Sequence, residues 1–270
     1  MLFNSTILTS LTLSSFLHHS PLISDSSNCL SKSLSIYSFR ITHSISHLLY
    51  VQSQFKYLCV HQSKLDSFLK RPLTIHQNED CYHVHNGQYD RSHSKRTCIN
   101  LSYSIFRNSI SNDEEGGAFL VASNTGSTIS INQCQFISCT ALSKGGALYI
   151  NYPRSTRAHK LLIYSSTFKD CRIGNGSELA GGAIYCQTGA IEVINSTFSG
   201  DGIDENTNSN DFFGGAIYAK VYSFEKIFYS KFEGCYVPQP TPTVPPTDSS
   251  ETSEDSSEIS DESSNEATSE

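Results

Sequence analysis

The sequence predicts an all-β protein, a right-handed parallel β-helix followed by a disordered acidic tail, and two recurring motifs carry this prediction. A phenylalanine motif, Phe-x-x followed mostly by Cys, Ser or Asp, is centred on Phe106, Phe136, Phe168, Phe198 and Phe232. A glycine motif, Gly-Gly-Ala and an apolar residue, contains Gly116, Gly117, Gly145, Gly146, Gly181, Gly182, Gly214 and Gly215. Successive phenylalanines are 30, 32, 30 and 34 residues apart. Such a period is typical of stacked units that cannot bury their apolar faces alone.

The segment before each phenylalanine predicts a strand that faces the core. Positions seven and five before it are Ile99 and Leu101, Ile129 and Ile131, Leu161 and Ile163, Ile191 and Val193, and finally Glu225 and Ile227. Apart from Glu225 these residues are apolar with a period of two, as in a half-buried strand. The phenylalanine then follows at a corner, with its ring expected inside the stack.

The segment after each glycine pair predicts a second strand. Loop-like sequences of variable length precede the glycines, which allow positive φ and close backbone approach. Leu148 and its counterparts form an apolar column, whereas Tyr149, Tyr185 and Tyr218 occupy the alternating, outward position. We predict a tyrosine row with rings about 5 Å apart, and these three residues are the candidate ligand-facing residues. The alternative is that the rings only stabilise one another and shield the sheet.

The chain divides into three parts by sequence. Residues 1–97 lack the clear motifs and are interpreted as degenerate N-terminal coils or a cap, since terminal repeats are usually atypical. Residues 98–237 carry the repeats. Residues 238–270 are rich first in Pro and Thr and then in Ser and acidic residues, a composition that predicts disorder.

The combination of Gly-Gly-Ala-apolar with Phe-x-x-Asn resembles the repeats of chlamydial polymorphic outer-membrane proteins. Similar repeats, often with Cys at the Asn position, occur in right-handed β-helix surface proteins of protists. In this chain Cys, Ser or Asp replaces that Asn, and no membrane-barrel strands follow residue 237. The resemblance covers residues 98–237 and implies a β-helix displayed at the cell surface and used in adhesion.

Charge and hydropathy exclude several classes of function. The net charge is −7, but nine of the 26 acidic residues lie in the tail from Asp248 onwards, where no basic residue occurs. The remainder carries 19 basic and 17 acidic residues and has no basic stripe for nucleic acid.

No apolar run is long enough for a membrane-spanning helix. The N-terminus is apolar but has no basic residue before Lys32, so it resembles a signal peptide only weakly. A cell-surface or extracellular location is the expectation, and sequons such as Asn100 would then matter.

Nine cysteines are present, and two of them occupy the same column of adjacent units. Cys139 and Cys171 are predicted to be neighbours with Cα atoms about 5 Å apart, whether or not they form a disulfide. The repeat cysteines act either as disulfide partners outside the cell or as small apolar fillers.

The motifs favour a non-catalytic interaction module over an enzyme. The alternative is a carbohydrate-active β-helix enzyme, of the polysaccharide lyase or glycosidase type, which needs stacked carboxylates on neighbouring strands. The predicted strands contain only Glu192 and Glu225, and the other repeat acids, Asp201 among them, are assigned to loops.

Cofactor and metal chemistry are not expected. Cys81, His83, His85, His93 and Cys98 include soft ligands, but their spacing matches no zinc motif. The expected partner is an unidentified protein or glycan.

Overall fold

The computed structural model describes residues 5–25, 32–52, 55–77, 84–85, 88–89, 97–112, 115–123, 127–152, 159–174, 176, 178–204 and 212–238. Residues 1–238 form one compact unit, and the predicted tail, residues 239–270, lies outside the described residues. The described residues form strands, turns and bends, so the predicted all-β class is confirmed. Within these ranges there is no helix with the length and apolar character needed to cross a membrane.

Fourteen of the described strands lie in the first 123 residues. They are β1 (Ser5–Thr9), β2 (Thr12–Leu13), β3 (Ile23–Asp25), β4 (Lys32–Tyr37), β5 (Arg40–Ser44), β6 (Leu49–Val51), β7 (Phe55–His61), β8 (Lys64–Phe68), β9 (Leu73–Gln77), β10 (Val84–His85), β11 (Gln88–Tyr89), β12 (Thr97–Ser102), β13 (Ile105–Arg107) and β14 (Phe119–Ser123).

Another fourteen follow. They are β15 (Ser127–Asn132), β16 (Gln135–Ile137), β17 (Thr140–Ala141), β18 (Leu148–Asn151), β19 (Lys160–Tyr164), β20 (Thr167–Lys169), β21 (Arg172–Ile173), β22 (Leu179–Ala180), β23 (Ile184–Ile194), β24 (Thr197–Ser199), β25 (Gly202–Ile203), β26 (Phe212–Phe213), β27 (Ile217–Phe228) and β28 (Lys231–Glu233).

The pairing of these strands is parallel except for the small β10–β11 hairpin. The largest sheet has the order β1-β4-β7-β12-β15-β19-β23-β18-β14-β9-β6-β3, with β27 paired to β23. A second sheet has the order β2-β5-β8-β13-β16-β20-β24-β28. In both sheets, strands from successive turns of the chain lie side by side. Stacked parallel sheets of this kind are consistent with a β-helix.

The two long strands β23 and β27 join two stacks within the largest sheet. The first half of β23 pairs with β18, which follows a glycine motif, and its second half pairs with β19, which precedes a phenylalanine motif. Between Ile191 and Glu192 the register with β27 shifts, so that Phe224 is the Cα partner of Ile191. Glu225, the one exception to the apolar column in the sequence, is thus displaced from that column, because the strand carries a bulge at this point.

The phenylalanine side chains form a stacked ladder inside the second sheet. The register pairs Phe106, Phe136, Phe168, Phe198 and Phe232 in that order. Ring centroids are 4.8 or 4.9 Å apart and the ring planes deviate by at most 5°. The first four rings are completely buried, whereas Phe232 is 44% exposed at the end of the ladder.

Left-handed backbone conformations bound each phenylalanine strand on both sides. The residues three before the phenylalanine have positive φ, as do those two after it. The first set is Tyr103, Gln133, Ser165, Asn195 and Tyr229, and the second is Asn108, Ser138, Asp170, Gly200 and Gly234. Two such bends separated by a short strand turn the chain through the corner that the sequence predicts.

The same corner occurs in the N-terminal coils without phenylalanine. Leu65 pairs with Phe106, and Ile41 pairs with Leu65. Positive φ is found three before and two after each, at Gln62 and Ser67 and at Ser38 and His43. Strands β1–β9 therefore belong to the same two sheets as the later repeats.

Where serine stands two residues before a phenylalanine, its hydroxyl ties adjacent coils together, whereas the residue at that position before Phe136 is Cys134. The Ser196 hydroxyl donates to the carbonyl of Ile194 at 3.0 Å and accepts from the backbone N–H of Ser166 at 3.2 Å. The Ser166 hydroxyl repeats the pattern with Tyr164 and with the N–H of Cys134. This column satisfies backbone donors at a corner where the chain leaves the sheet.

Candidate functional site

An open groove lies on the outward face of the largest sheet, across the strands that precede the corner. Its lining comes from five adjacent strands, β4, β7, β12, β15 and β19, and its volume is about 600 Å³. The lining residues are Tyr37, Tyr57, Cys59, His61, Asn100, Ser102, Tyr103, Ser130, Asn132 and Tyr164. Because alternate residues of these strands point into the apolar core, these side chains form the polar face of the same strands.

Three rings form a contiguous aromatic surface at the corner side of the groove. The His61 ring lies edge-on to Tyr37, with centroids 5.6 Å apart, and to Tyr103, with centroids 5.2 Å apart. The Nδ1 atom of His61 is hydrogen-bonded to the Ser102 hydroxyl at 2.8 Å. This bond fixes the orientation of the imidazole between the two tyrosines.

Tyr103 contributes the most exposed ring of this surface. Its side chain is half exposed and its backbone φ is +50°. A bulky residue in the left-handed region is uncommon and costs about 1 kcal/mol or more. The corner imposes this conformation on every coil, so at this position the strained backbone directs a tyrosine side chain to the groove rim.

Tyr57 lies deeper in the groove. Burial raises the pKa of its phenol, and the Cys59 thiol raises it further, whereas the nearby Asn100 side chain acts in the opposite direction. The phenol therefore stays protonated at neutral pH and retains a proton to donate. Together with Asn100, Asn132 and Ser130 it supplies neutral donors and acceptors.

The candidate ligand-facing tyrosines lie in a separate cluster. Tyr149 and Tyr185 stack at 5.1 Å, and Tyr185 and Tyr218 at 5.3 Å. Tyr149 and Tyr185 are only 6% and 7% exposed, because they pack with Leu120 and Ala180 outside the main core. Burial raises the pKa of Tyr185 to about 12. Their role in ligand binding stays a prediction, and their burial favours the structural alternative.

We expect Tyr185→Ala to lower the free energy of unfolding by about 2 kcal/mol, since it removes a nearly buried ring from the middle of a stack. If the groove binds a ligand, that binding should be unaffected, because Tyr185 is not among the lining residues. Urea denaturation measures the change in stability, and a binding assay measures the second effect. A loss of binding with unchanged stability would instead show that Tyr149, Tyr185 and Tyr218 contact the ligand.

A second buried column follows the phenylalanines by three residues. Cys139 and Cys171 are both free thiols without exposed surface, and the N–H of Arg172 donates to the Cys139 carbonyl at 3.0 Å. The Cys171 thiol donates to the carbonyl of Phe136 at 3.5 Å. Burial raises the pKa of Cys171 well above its ordinary value, and the neighbouring Cys139 thiol adds to this. Thiols in this state are poor nucleophiles.

Asp201 occupies the next position in this column. The prediction that it belongs to a solvated loop is wrong, because its side chain has no exposed surface. Its Oδ1 accepts the N–H of Cys171 at 2.8 Å, and Oδ2 has no hydrogen-bond partner among the described residues. Burial raises the pKa of this carboxyl to about 7, and the charge of Asp170 contributes in the same direction.

Asp201 should therefore make the stability of the protein depend on pH. A carboxyl with a pKa near 4 in the unfolded chain and near 7 in the folded chain binds its proton more tightly when folded. The free energy of unfolding should fall by about 2 kcal/mol as the pH rises from 5 to 7 and then level off. Asp201→Asn should remove this fall and make the variant more stable than the parent at pH 8.

Urea denaturation of both proteins at pH 5 and pH 8 measures the difference, and the titration of the acidic tail cancels between them. Asp204→Asn is the matched control, because Asp204 is about half exposed beside Arg172. Equal pH dependence in the parent and in Asp201→Asn would contradict the buried, protonated carboxyl.

Metal ligation has no candidate in the part of the chain that the structure describes, where no three His, Cys, Asp or Glu side chains are grouped suitably. Of the residues considered from sequence, Cys81, His83 and His93 lie outside the described residues.

Searches against known protein families, curated proteins and solved structures found no match to this chain.

Sequence reasoning missed the groove altogether. Tyr37, Tyr57 and His61 lie in the part of the chain that has no clear motif, and Asn100, Asn132 and Tyr164 are the outward positions of the repeat strands. The groove could have been found from the alternation of inward and outward residues along each strand. The residues six and four before each phenylalanine must share one outward face.

Proposed function

We propose that this chain is a non-catalytic interaction module, secreted or displayed at a cell surface, that binds a protein or glycan partner through the groove. The observation that carries the proposal is the aromatic surface of Tyr37, His61 and Tyr103, which is held open on the polar face of a rigid sheet. Aromatic side chains with polar tips are suited to partly wet recognition surfaces.

We place the chain among right-handed β-helix surface proteins with repeats like those of the chlamydial polymorphic outer-membrane proteins. Two features support this: the stacking of the phenylalanine motifs in register, and the strong preference of parallel crossovers for right-handed winding. The implied role is adhesion.

The enzymatic alternative has weaker support. No carboxylate occurs among the described residues that line the groove. The nearest carboxylate in the same outward column is that of Glu192, which lies two coils beyond Ser130 and pairs in register with Lys226. The paired carboxylates of glycosidases are thus not assembled at this surface.

The proposal predicts that Tyr103→Asn abolishes cell binding. Asn suits the left-handed conformation better than Tyr, so the variant should be at least as stable as the parent while losing the exposed ring. Labelled full-length protein is incubated with a panel of intact animal, plant and bacterial cells, and binding is read by flow cytometry.

Tyr229→Asn is the matched control. Tyr229 has the same corner position and a φ of +53°, is 91% exposed, and is not part of the groove. Binding that survives in Tyr229→Asn and is lost in Tyr103→Asn supports the proposed function. Equal binding by all three proteins, or none by the parent, overturns it.

A further inference from the structure

The chemistry of the groove lining restricts the class of ligand. Among its described residues there is no Asp, Glu, Lys or Arg, and none is Leu, Ile, Val, Met or Phe. The first absence leaves no charge to complement a phosphate, sulfate or carboxylate ligand. The second leaves no purely apolar pocket of the kind that anchors a protein hot spot.

What the lining offers is an alternation of aromatic faces with small neutral polar groups. The rings are those of Tyr37, Tyr57, His61, Tyr103 and Tyr164, and between them lie the amides of Asn100 and Asn132 and the hydroxyls of Ser102 and Ser130. A sugar ring has the complementary surface: a C–H face that packs on an aromatic ring, and a rim of hydroxyl groups that donate and accept hydrogen bonds.

The groove is elongated along the direction in which the coils stack. It crosses five neighbouring strands, so the outermost strands are about 19 Å apart at the usual strand spacing. Aromatic side chains occur on strands β4, β7 and β19 and at the corner after β12. A ligand that contacts all of them must extend across several coils.

The contacts of the His61 ring show that this surface is ordered before any ligand arrives. The Ser102 hydroxyl holds the His61 ring between Tyr37 and Tyr103. Preorganised side chains lose little conformational freedom on binding, which is one of the main costs of association.

We infer that the groove binds a linear, uncharged polysaccharide laid along the stacking axis, with about one sugar ring per coil. A sugar ring is comparable in width to the separation of adjacent parallel strands, which is about 4.8 Å. This inference rests on the proposed function and names the ligand class of the same site. A protein partner and an acidic glycan are the competing outcomes.

The test is affinity electrophoresis of the full chain in native gels that contain one polysaccharide each. The neutral probes are hydroxyethyl cellulose, galactomannan and arabinoxylan, and the charged probes are polygalacturonate and heparin. The protein is produced in bacterial cytosol, so that no glycan is attached at the Asn100 sequon inside the groove.

The expected result is retardation of the parent by at least one neutral polysaccharide and by neither charged one. Tyr229→Asn should be retarded equally, whereas Tyr103→Asn should bind at least tenfold more weakly. Retardation by the charged probes alone, or equal retardation of Tyr103→Asn, overturns the inference.

The failure of this inference and the failure of the proposed function give different results. If no neutral probe retards the parent but Tyr103→Asn still abolishes cell binding, the groove binds another class of partner and only the glycan inference is lost. If Tyr103→Asn binds cells normally, the groove is not the binding site and both are lost.

Discussion

Replacement of Phe168 by alanine is expected to lower the free energy of unfolding by about 4 kcal/mol. Its ring has no exposed surface and stacks at 4.8 Å on Phe136 on one side and on Phe198 on the other. Alanine would lose the transfer energy of a buried ring and leave a cavity between two aligned rings that the parallel strands prevent from closing. Urea denaturation measures the loss.

Two further variants make this expectation specific. Phe232→Ala should cost only about 1 kcal/mol, because this ring has one stacking partner and is 44% exposed. Phe168→Leu should cost less than the alanine variant, since Leu65 occupies the same column in an earlier coil. Equal losses in Phe168→Ala and Phe232→Ala would show that the ladder does not act through stacking and burial.

Gly146→Ala is the second large effect, at about 3 kcal/mol. A Cβ atom at this position would overlap the carbonyl oxygen of Gly182 and lie 2.6 Å from both the amide nitrogen and the carbonyl oxygen of Arg172. All three are backbone atoms held in the ladder between coils, so none can move without breaking hydrogen bonds. The expected result is a lower urea midpoint, with far-UV circular dichroism still showing strands.

Gly174→Ala is the control for this variant. There the added Cβ atom would lie 2.8 Å from the Asp204 Oδ2 atom, which is on a half-exposed side chain and can rotate away, and 3.0 Å from the Asp204 Cβ atom, which needs a shift of only a few tenths of an ångström. Its effect should stay below about 1 kcal/mol, because alanine also restricts the unfolded chain. If Gly146→Ala is as mild as Gly174→Ala, the close approach of the coils at the glycine motif is not a packing constraint.

The part of the fold that was predictable from sequence is the part in which one residue type marks each coil. The phenylalanine and glycine motifs locate equivalent residues in successive units, and the structure pairs Phe119 with Leu148 and Leu148 with Ile184 accordingly. The bulge at Glu225 could not be read, because an extra residue in a strand changes the register without changing the composition.

The N-terminal coils and the groove were hidden for a common reason. At the corner, Leu65 and Ile41 replace phenylalanine, and apolar residues of this kind are too frequent to mark a column by themselves. Without the register of β7 against β12, His61 cannot be placed beside Ser102 and Tyr103. The burial of Asp201 was missed because its neighbours in sequence, Gly200 and Gly202, are typical of a surface turn.

The direction of the hydrogen bonds between coils has a mechanical consequence. These bonds run along the stacking axis, and each coil is joined only to its two neighbours. A load applied between the two ends of the stack pulls in line with these bonds. We expect it to detach the coils one at a time, starting from an end. A chain molecule seated across strands β4 to β19 would tie five coils together, so that they must yield at once. If the chain binds such a ligand, as proposed, the ligand-bound stack should resist this load better than the free stack.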